Sequence, residues 1–339
     1  MKRNISLDLL KVLACFAVVV LHTAGIIATK NNGYTINNSI YYIAGFAVPV
    51  FFMVNGNLLL NKSTMSYKYI IKKIFNILLV VLSWNILIFF PKLAIKNKIA
   101  NPFYMALNNL IQKDYFFQFW FFGALILIYL VLPILHKYFN NLKTALLITG
   151  TFIIISLAID ILSLVRSFSG NSIVQINIIQ TFRLWTWFAY YLLGGLLGKR
   201  QFKDYVFRHI SPLVNRIIVT IMIIITNIYQ YNVGRYLYKT PYAEYFYDNI
   251  FTFILNVSLF ILVYRIDLSK YKGNTIELIS NNAMGIYIIH ITIIKIMTHF
   301  YKFNTPITNI CLIFIVFIVS LIVSMIISKL PLVNKLVKI

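Results

Sequence analysis

The sequence predicts an all-α, polytopic integral membrane protein with about ten transmembrane helices, and three observations lead there. Only 12% of the residues are charged while 60% are hydrophobic, whereas a soluble domain carries about 25% charged residues. A chain with half that share lacks the polar groups to cover a globule. Apolar runs of roughly twenty residues, the length that spans a bilayer core, recur from one end of the chain to the other. Between them the basic residues fall in short clusters and form no continuous face.

The first span is Leu9–Ala28. It follows a basic MKRN start, as a signal peptide would, but runs about twenty residues with no small-residue cleavage site, so it is read as an uncleaved membrane helix. Ile40–Leu60, Ile74–Leu93, Phe119–Leu135 and Thr144–Val165 complete the first half. The second half supplies Phe182–Gly198, Ile217–Tyr231, Ile250–Tyr264, Ala283–Phe300 and Ile310–Ile327, of which the first three are short for a crossing. The longest polar stretches, Pro91–Gln118 and Arg166–Thr181, are expected to form lids or ledges on the outer side. No repeat, heptad seam, low-complexity tract or linker divides the chain, so residues 1–339 are expected to form a single membrane domain with no additional soluble domain.

Charge sets the orientation. Nineteen of the 31 Lys and Arg residues fall in the loops that share a side with the N-terminus, and 10 fall in the alternate loops. Cytoplasmic loops carry the basic excess, so both termini are expected in the cytoplasm of a multi-pass protein of the cell membrane. Lys92, Lys96, Lys98 and Lys113, clustered between spans three and four, run against that trend. A net charge of +23 would point a soluble domain toward nucleic acid. In clusters between apolar runs it reads instead as topology control and attraction to anionic lipid. No nucleic-acid partner is expected. Cys15 and Cys311 both lie within apolar runs and offer neither a disulfide framework nor zinc spacing. No metal site, glycine-rich phosphate loop or Gly-x-Ser-x-Gly motif appears.

Ionisable residues inside a membrane are costly and mark candidate sites. The first span holds two, Lys11 and His22, in LDLLKVLACFAVVVLH. Eleven residues along a helix advance about 16 Å and turn to within about 20° of three full turns. The two side chains therefore share a face at different depths, Lys11 near the cytoplasmic boundary and His22 past the midplane. That geometry suits a carrier such as coenzyme A, with its phosphates near Lys11 and its thioester near His22. A neutral imidazole there can take a proton from an acceptor hydroxyl. Position alone also allows Lys11 to be a snorkelling lysine and His22 a buried histidine bonded to a neighbouring helix. Asp8, one turn before Lys11, can pair with it.

These residues resemble the opening of the acyltransferase 3 family, whose first helix carries Leu-Asp-Leu-Leu-Arg and a later His; here they are Asp8, Lys11 in place of the Arg, and His22. VPVFFMVNGNLLL (Val48–Leu60) is similar to the family's Pro-x-Phe-Phe-x-x-Ser-Gly-x-Leu-Leu stretch, with Asn55 for Ser. KKIFNILL (Lys72–Leu79) resembles its basic start of helix three. FWFFGALILIYLVLPIL (Phe119–Leu135), YYLLGGLLG (Tyr190–Gly198) and NAMGIYIIH (Asn282–His290) follow in family order.

The resemblance implies transfer of an acyl group, usually acetyl from acetyl-coenzyme A, to polysaccharides, peptidoglycan, lipids or small molecules. It implies that His22 is catalytic and that Lys11, with Lys73, meets the donor. It also implies that Asn55, Trp120, Tyr129, Tyr287 and His290 shape the substrate pocket. Arg183, at the outer end of span six, is a further candidate to meet an acidic acceptor. The expected function is transfer from a cytosolic acyl-coenzyme A to a hydroxyl of a cell-envelope carbohydrate or lipid-linked sugar. Acetyl-coenzyme A is then a co-substrate, with no bound cofactor. Membrane lipid is an expected partner, and a homo-oligomer is compatible with the sequence. The chief alternative is a transporter or flippase of lipid-linked sugars that performs no chemistry. Its usual signs are inverted repeats and paired broken helices; no such pairing is seen, although Pro49 and Gly56 interrupt span two.

Overall fold

The computed structural model describes residues 3–30, 33–96, 101–266, 275–331 and 333–337, and every regular element among them is helical. Helix α1 spans Ile5–Ala28. A 3-10 turn at Ala44–Phe46 joins α2 (Ile36–Ile43) to α3 (Ala47–Leu60), and together they make one broken crossing. Pro49 follows in the first turn of α3, where its missing N–H does no harm. The chain continues through α4 (Tyr67–Lys96), the short α5 (Pro102–Leu110), α6 (Trp120–Phe139), α7 (Leu142–Phe168), α8 (Leu184–Gly198) and the short α9 (Arg200–His209). The last four are α10 (Pro212–Asn232), α11 (Ile250–Tyr264), α12 (Thr275–Phe300) and α13 (Pro306–Lys329).

Among the described residues eight segments are long and apolar enough to cross a membrane, counting α2 and α3 as one. Helices α8 and α11 have 15 residues each, about 22 Å at 1.5 Å per residue against a hydrocarbon core of about 30 Å. The expected count of about ten crossings therefore rests on these two. The seventh predicted span is not short. It starts at Pro212 under a Ser211 cap and continues past Asn232 as a π-turn at Val233–Leu237. Hydropathy understates its length because Asn215, Asn227 and Gln230 are polar yet buried against neighbouring helices.

Burial separates the helices into a centre and a rim. In α1, α2–α3 and α6 between 56% and 67% of the apolar window is buried, against 22% in α4, α7 and α10. Helices α1 and α12 run in parallel through the middle. Arg3 pairs with Glu277, Ser280 donates to Asp8 at 2.6 Å, Cys15 donates to the Ala283 carbonyl, and His22 lies beside His290. The side on which α1 begins is called the N-side below.

Two of the family-like stretches turn out to be the two halves of one contact. Where α3 crosses α8, a Cβ on Gly56 would stand 1.8 Å from the Tyr191 carbonyl oxygen, and one on Gly194 would stand 1.9 Å from that of Met53. Asn57 then donates to the Gly194 carbonyl at 3.0 Å and Asn61 to that of Gly195 at 2.9 Å. Lipid tails are as apolar as leucine, so helices in a bilayer associate through close packing and such hydrogen bonds.

On the side opposite the N-side, the short α8 and α11 leave room that folded loops occupy. Turns at Val174–Asn177, Gln180–Phe182 and Ala243–Tyr245 carry their backbone into the protein. Irregular backbone at such depth needs its polar groups paired internally. Arg183 does much of this, donating to the carbonyls of Ile178, Glu244 and Gln175 at 2.8–2.9 Å. The stretch Pro91–Gln118, expected to be a ledge, contains α5, which the Asn109 amide ties to Asn85 of α4 at 2.7 Å.

Candidate active site

Two cavities lie end to end through the centre. The one nearer the N-side has a volume of about 400 Å³ and is lined by Lys11, Asn55, Lys73 and Tyr129, among others. A side chamber of about 410 Å³ shares Asn55, Leu58 and Lys73 with it and adds Lys62 and Tyr69. The far cavity, about 490 Å³, is lined by His22, Trp120, Gln118, Gln180, Glu244 and a group of tyrosines. Phe51, Phe121 and Tyr287 line both the near and the far cavity. These three side chains form the waist at which the two spaces meet.

Helix α1 supplies one ionisable side chain to each space, Lys11 to the near cavity and His22 to the far one. The α1 start is held firmly. The Asp8 carboxylate takes hydrogen bonds from Arg3 and Ser280, while Lys11 lies further off, 3.5 Å from one of its oxygens. Lys11 is thus steadied by Asp8 and still faces the cavity. Lys73 lines both N-side spaces, and the Tyr69 ring lies beneath Lys62, 3.3 Å from its ammonium. Three cations around a polar mouth suit a ligand with several phosphates.

Asn55 and Tyr129 act as a pair. The Tyr129 hydroxyl donates to the Asn55 side-chain oxygen at 3.2 Å, and the Asn55 amide donates to the Phe51 carbonyl at 3.0 Å. Asn55, standing where the family has Ser, therefore keeps the hydrogen-bonding role open to a small polar side chain. At the waist the Tyr287 hydroxyl donates to the Gln118 carbonyl, which fixes its ring against Phe121 and Phe122.

His22 is half-buried, with its ring centroid 5.5 Å from that of Phe117 and 5.1 Å from that of His290. His290 is fully buried and lines neither cavity. Its Nδ1 lies 3.2 Å from the Ile286 carbonyl. A carbonyl only accepts, so Nδ1 carries a hydrogen. Its Nε2 has no hydrogen-bond partner among the described residues. His290, expected in the substrate pocket, thus stands beside His22 and outside the lining of both cavities.

Trp120, expected near an aromatic belt, is buried at 6% exposure against Trp187 and lines the far cavity. Arg183 does not face the cavity. Its guanidinium donates to three backbone carbonyls behind the loop and lies over the Tyr245 ring, so among the described residues its place is to hold the wall of the far cavity.

Other residues in the far cavity come from PYAEYFYD (Pro241–Asp248), a stretch without a motif. Burial pushes the Glu244 carboxyl above its usual range, opposed by nearby Arg183 and by a hydrogen bond from Gln180. Asp248 is raised likewise by burial, although Thr186, Gln175 and Trp185 all donate to it. A loop carboxylate ordinarily reads as solvated. The available signal was scarcity, since the chain has only 8 acidic residues and two of them sit in this aromatic stretch.

A cationic chamber, a three-residue waist and a histidine beyond it form an arrangement able to pass a group between two bound molecules. No curated protein and no solved structure matches the chain. The acyltransferase 3 family, described as an acyltransferase domain, matches residues 4–329, nearly the whole length. The protein accordingly belongs to the acyltransferase 3 family and is a membrane acyltransferase.

Proposed function

We propose that the protein moves a small acyl group, acetyl in the first instance, from a cytosolic acyl-coenzyme A to a hydroxyl of a cell-envelope carbohydrate. The observation that carries this reading is the pair of cavities meeting at Phe51, Phe121 and Tyr287, one cationic and the other holding His22. The coenzyme's phosphates lie near Lys11, Lys62 and Lys73, and its thioester reaches the waist. The acceptor enters the far cavity, where tyrosines, Gln118, Gln180 and Glu244 offer aromatic faces and hydrogen bonds to a polyhydroxylated molecule. His22 takes the proton of the acceptor hydroxyl as its oxygen attacks the thioester carbonyl. The tetrahedral intermediate collapses with cleavage of the C–S bond, and the departing thiolate recovers the proton. The N-side is cytoplasmic on the basic excess of its loops.

The test is acyl transfer in proteoliposomes, with labelled acetyl-coenzyme A on one side and envelope glycan on the other. His22→Gln keeps polarity and size but cannot hold the proton. The variant should lose about a hundred- to ten-thousandfold in rate while binding coenzyme A as before. Near-normal transfer by a correctly inserted His22→Gln protein would falsify the assignment.

A further inference from the structure

The family match ends at residue 329, the last residue of α13. Pro331 prevents the helix from continuing, and Leu330 before it is extended. The chain then turns back on itself through bonds from the Val333 and Asn334 amides to the Leu330 carbonyl, and a 3-10 turn forms at Asn334–Val337. This turn packs between α4, α12 and α13. Val337 is 1% exposed and lines the near cavity alongside Lys11 and Lys73. The Trp84 indole of α4 donates to the Leu336 carbonyl at 2.9 Å, and a Cβ on Gly285 of α12 would lie 3.1 Å from that of Val337. Non-helical backbone inside a membrane domain persists where its carbonyls are paired and it borders a cavity, and this segment meets both conditions.

We propose that the turn Asn334–Val337 forms a wall of the donor cavity, wedged between α4 and α12 and clipped by Trp84, with Val337 packing against the donor's thioester arm. This element lies outside the residues that match the family, and its role rests on the near cavity being the donor site. Without the wedge, the gap between α4 and α12 would open the cavity sideways, and the arm would lose an apolar surface and its confinement.

The test uses the full chain in a Cys311→Ser background; Cys15 is buried and, unlike Val337, lines neither the near nor the far cavity. Val337→Cys and, separately, Leu58→Cys, which lines the cavity from α3, are labelled with a small maleimide with and without coenzyme A. Coenzyme A should slow labelling at least threefold at both positions. Protection at Leu58→Cys with none at Val337→Cys overturns the wall and leaves the donor reading standing. Protection at neither overturns the donor reading, and the wall with it. Trp84→Phe keeps the ring and removes the N–H. It should raise the donor KM about three- to tenfold, the worth of one hydrogen bond, and leave the acceptor KM unmoved. An unchanged donor KM, or both KM values rising together, overturns the clip.

Discussion

Lys11 is a cation only loosely committed to its neighbours. Arg3 and Ser280 take the close positions on Asp8, and Lys11 stands 3.5 Å away with its charge open to the near cavity. Lysine keeps the charge of the family's arginine but not its two-pronged geometry. If Lys11 holds a donor phosphate, Lys11→Ala should weaken coenzyme A binding by about ten- to a hundredfold, the worth of one charged hydrogen bond at about 1.5–3 kcal/mol. Lys11→Arg should match or exceed the native affinity. Calorimetric titration of the purified protein decides it, and equal affinity for Lys11→Ala returns the residue to snorkelling. Lys11 and His22 were legible because a charge within an apolar run has few innocent explanations. Glu244 was not, because a carboxylate between two predicted spans reads as solvent-facing until the loop is seen to fold inward. The wall contacts of Arg183 were hidden for the same reason, since hydropathy locates the end of a span and cannot show that a guanidinium there donates to three carbonyls.

Among the elements, the α3–α8 crossing is the one most tightly specified by sequence. Gly56 and Gly194 each face a backbone carbonyl that a methyl group would strike. Backbone at a helix crossing cannot move aside as a side-chain tip can, so the strain falls at or above the usual overpacking cost of about 1–3 kcal/mol. Gly194→Ala should therefore lower the Tm of the detergent-solubilised protein by about 5 °C or more. Gly150→Ala on α7, with nothing within 4 Å of its added methyl, should leave Tm unchanged or slightly higher, as alanine favours helix. Equal melting of the two variants would show that the crossing is not under such constraint. The glycines of this contact were visible in VPVFFMVNGNLLL and YYLLGGLLG, but their pairing was not, because periodicity describes one helix at a time. The same limit hid the true length of α10, whose buried Asn227 and Gln230 resemble the polar end of a span. It also hid the turn at Asn334–Val337, which is held by Trp84 and packed against Gly285, both far off in sequence.

At the scale of the whole molecule, the proposed donor site requires a direction that the loop charges predict independently. Parallel packing of α1 and α12 places Lys11, Lys73 and Lys62 on the N-side of the waist and His22 beyond it. Coenzyme A is cytosolic, so the mechanism works only if the N-side is cytoplasmic. Lys92 and Lys96 at the end of α4 and Lys98 and Lys113 after it run against that orientation, and of these Lys98 lies outside the described residues, as do Lys270 and Lys272 among those that favour it. Labelling resolves the matter in a Cys311→Ser background. Lys143 in the first turn of α7 lies on the N-side, and Lys302 between α12 and α13 lies opposite; both are exposed. A membrane-impermeant maleimide added to intact cells should modify Lys302→Cys at once and Lys143→Cys only after permeabilisation. The reverse pattern would invert the protein and put the cationic chamber outside the cell, away from any coenzyme A. The donor assignment would then fail even if His22 proved essential, because the same histidine would face the cytoplasm and the acceptor would have to be found there.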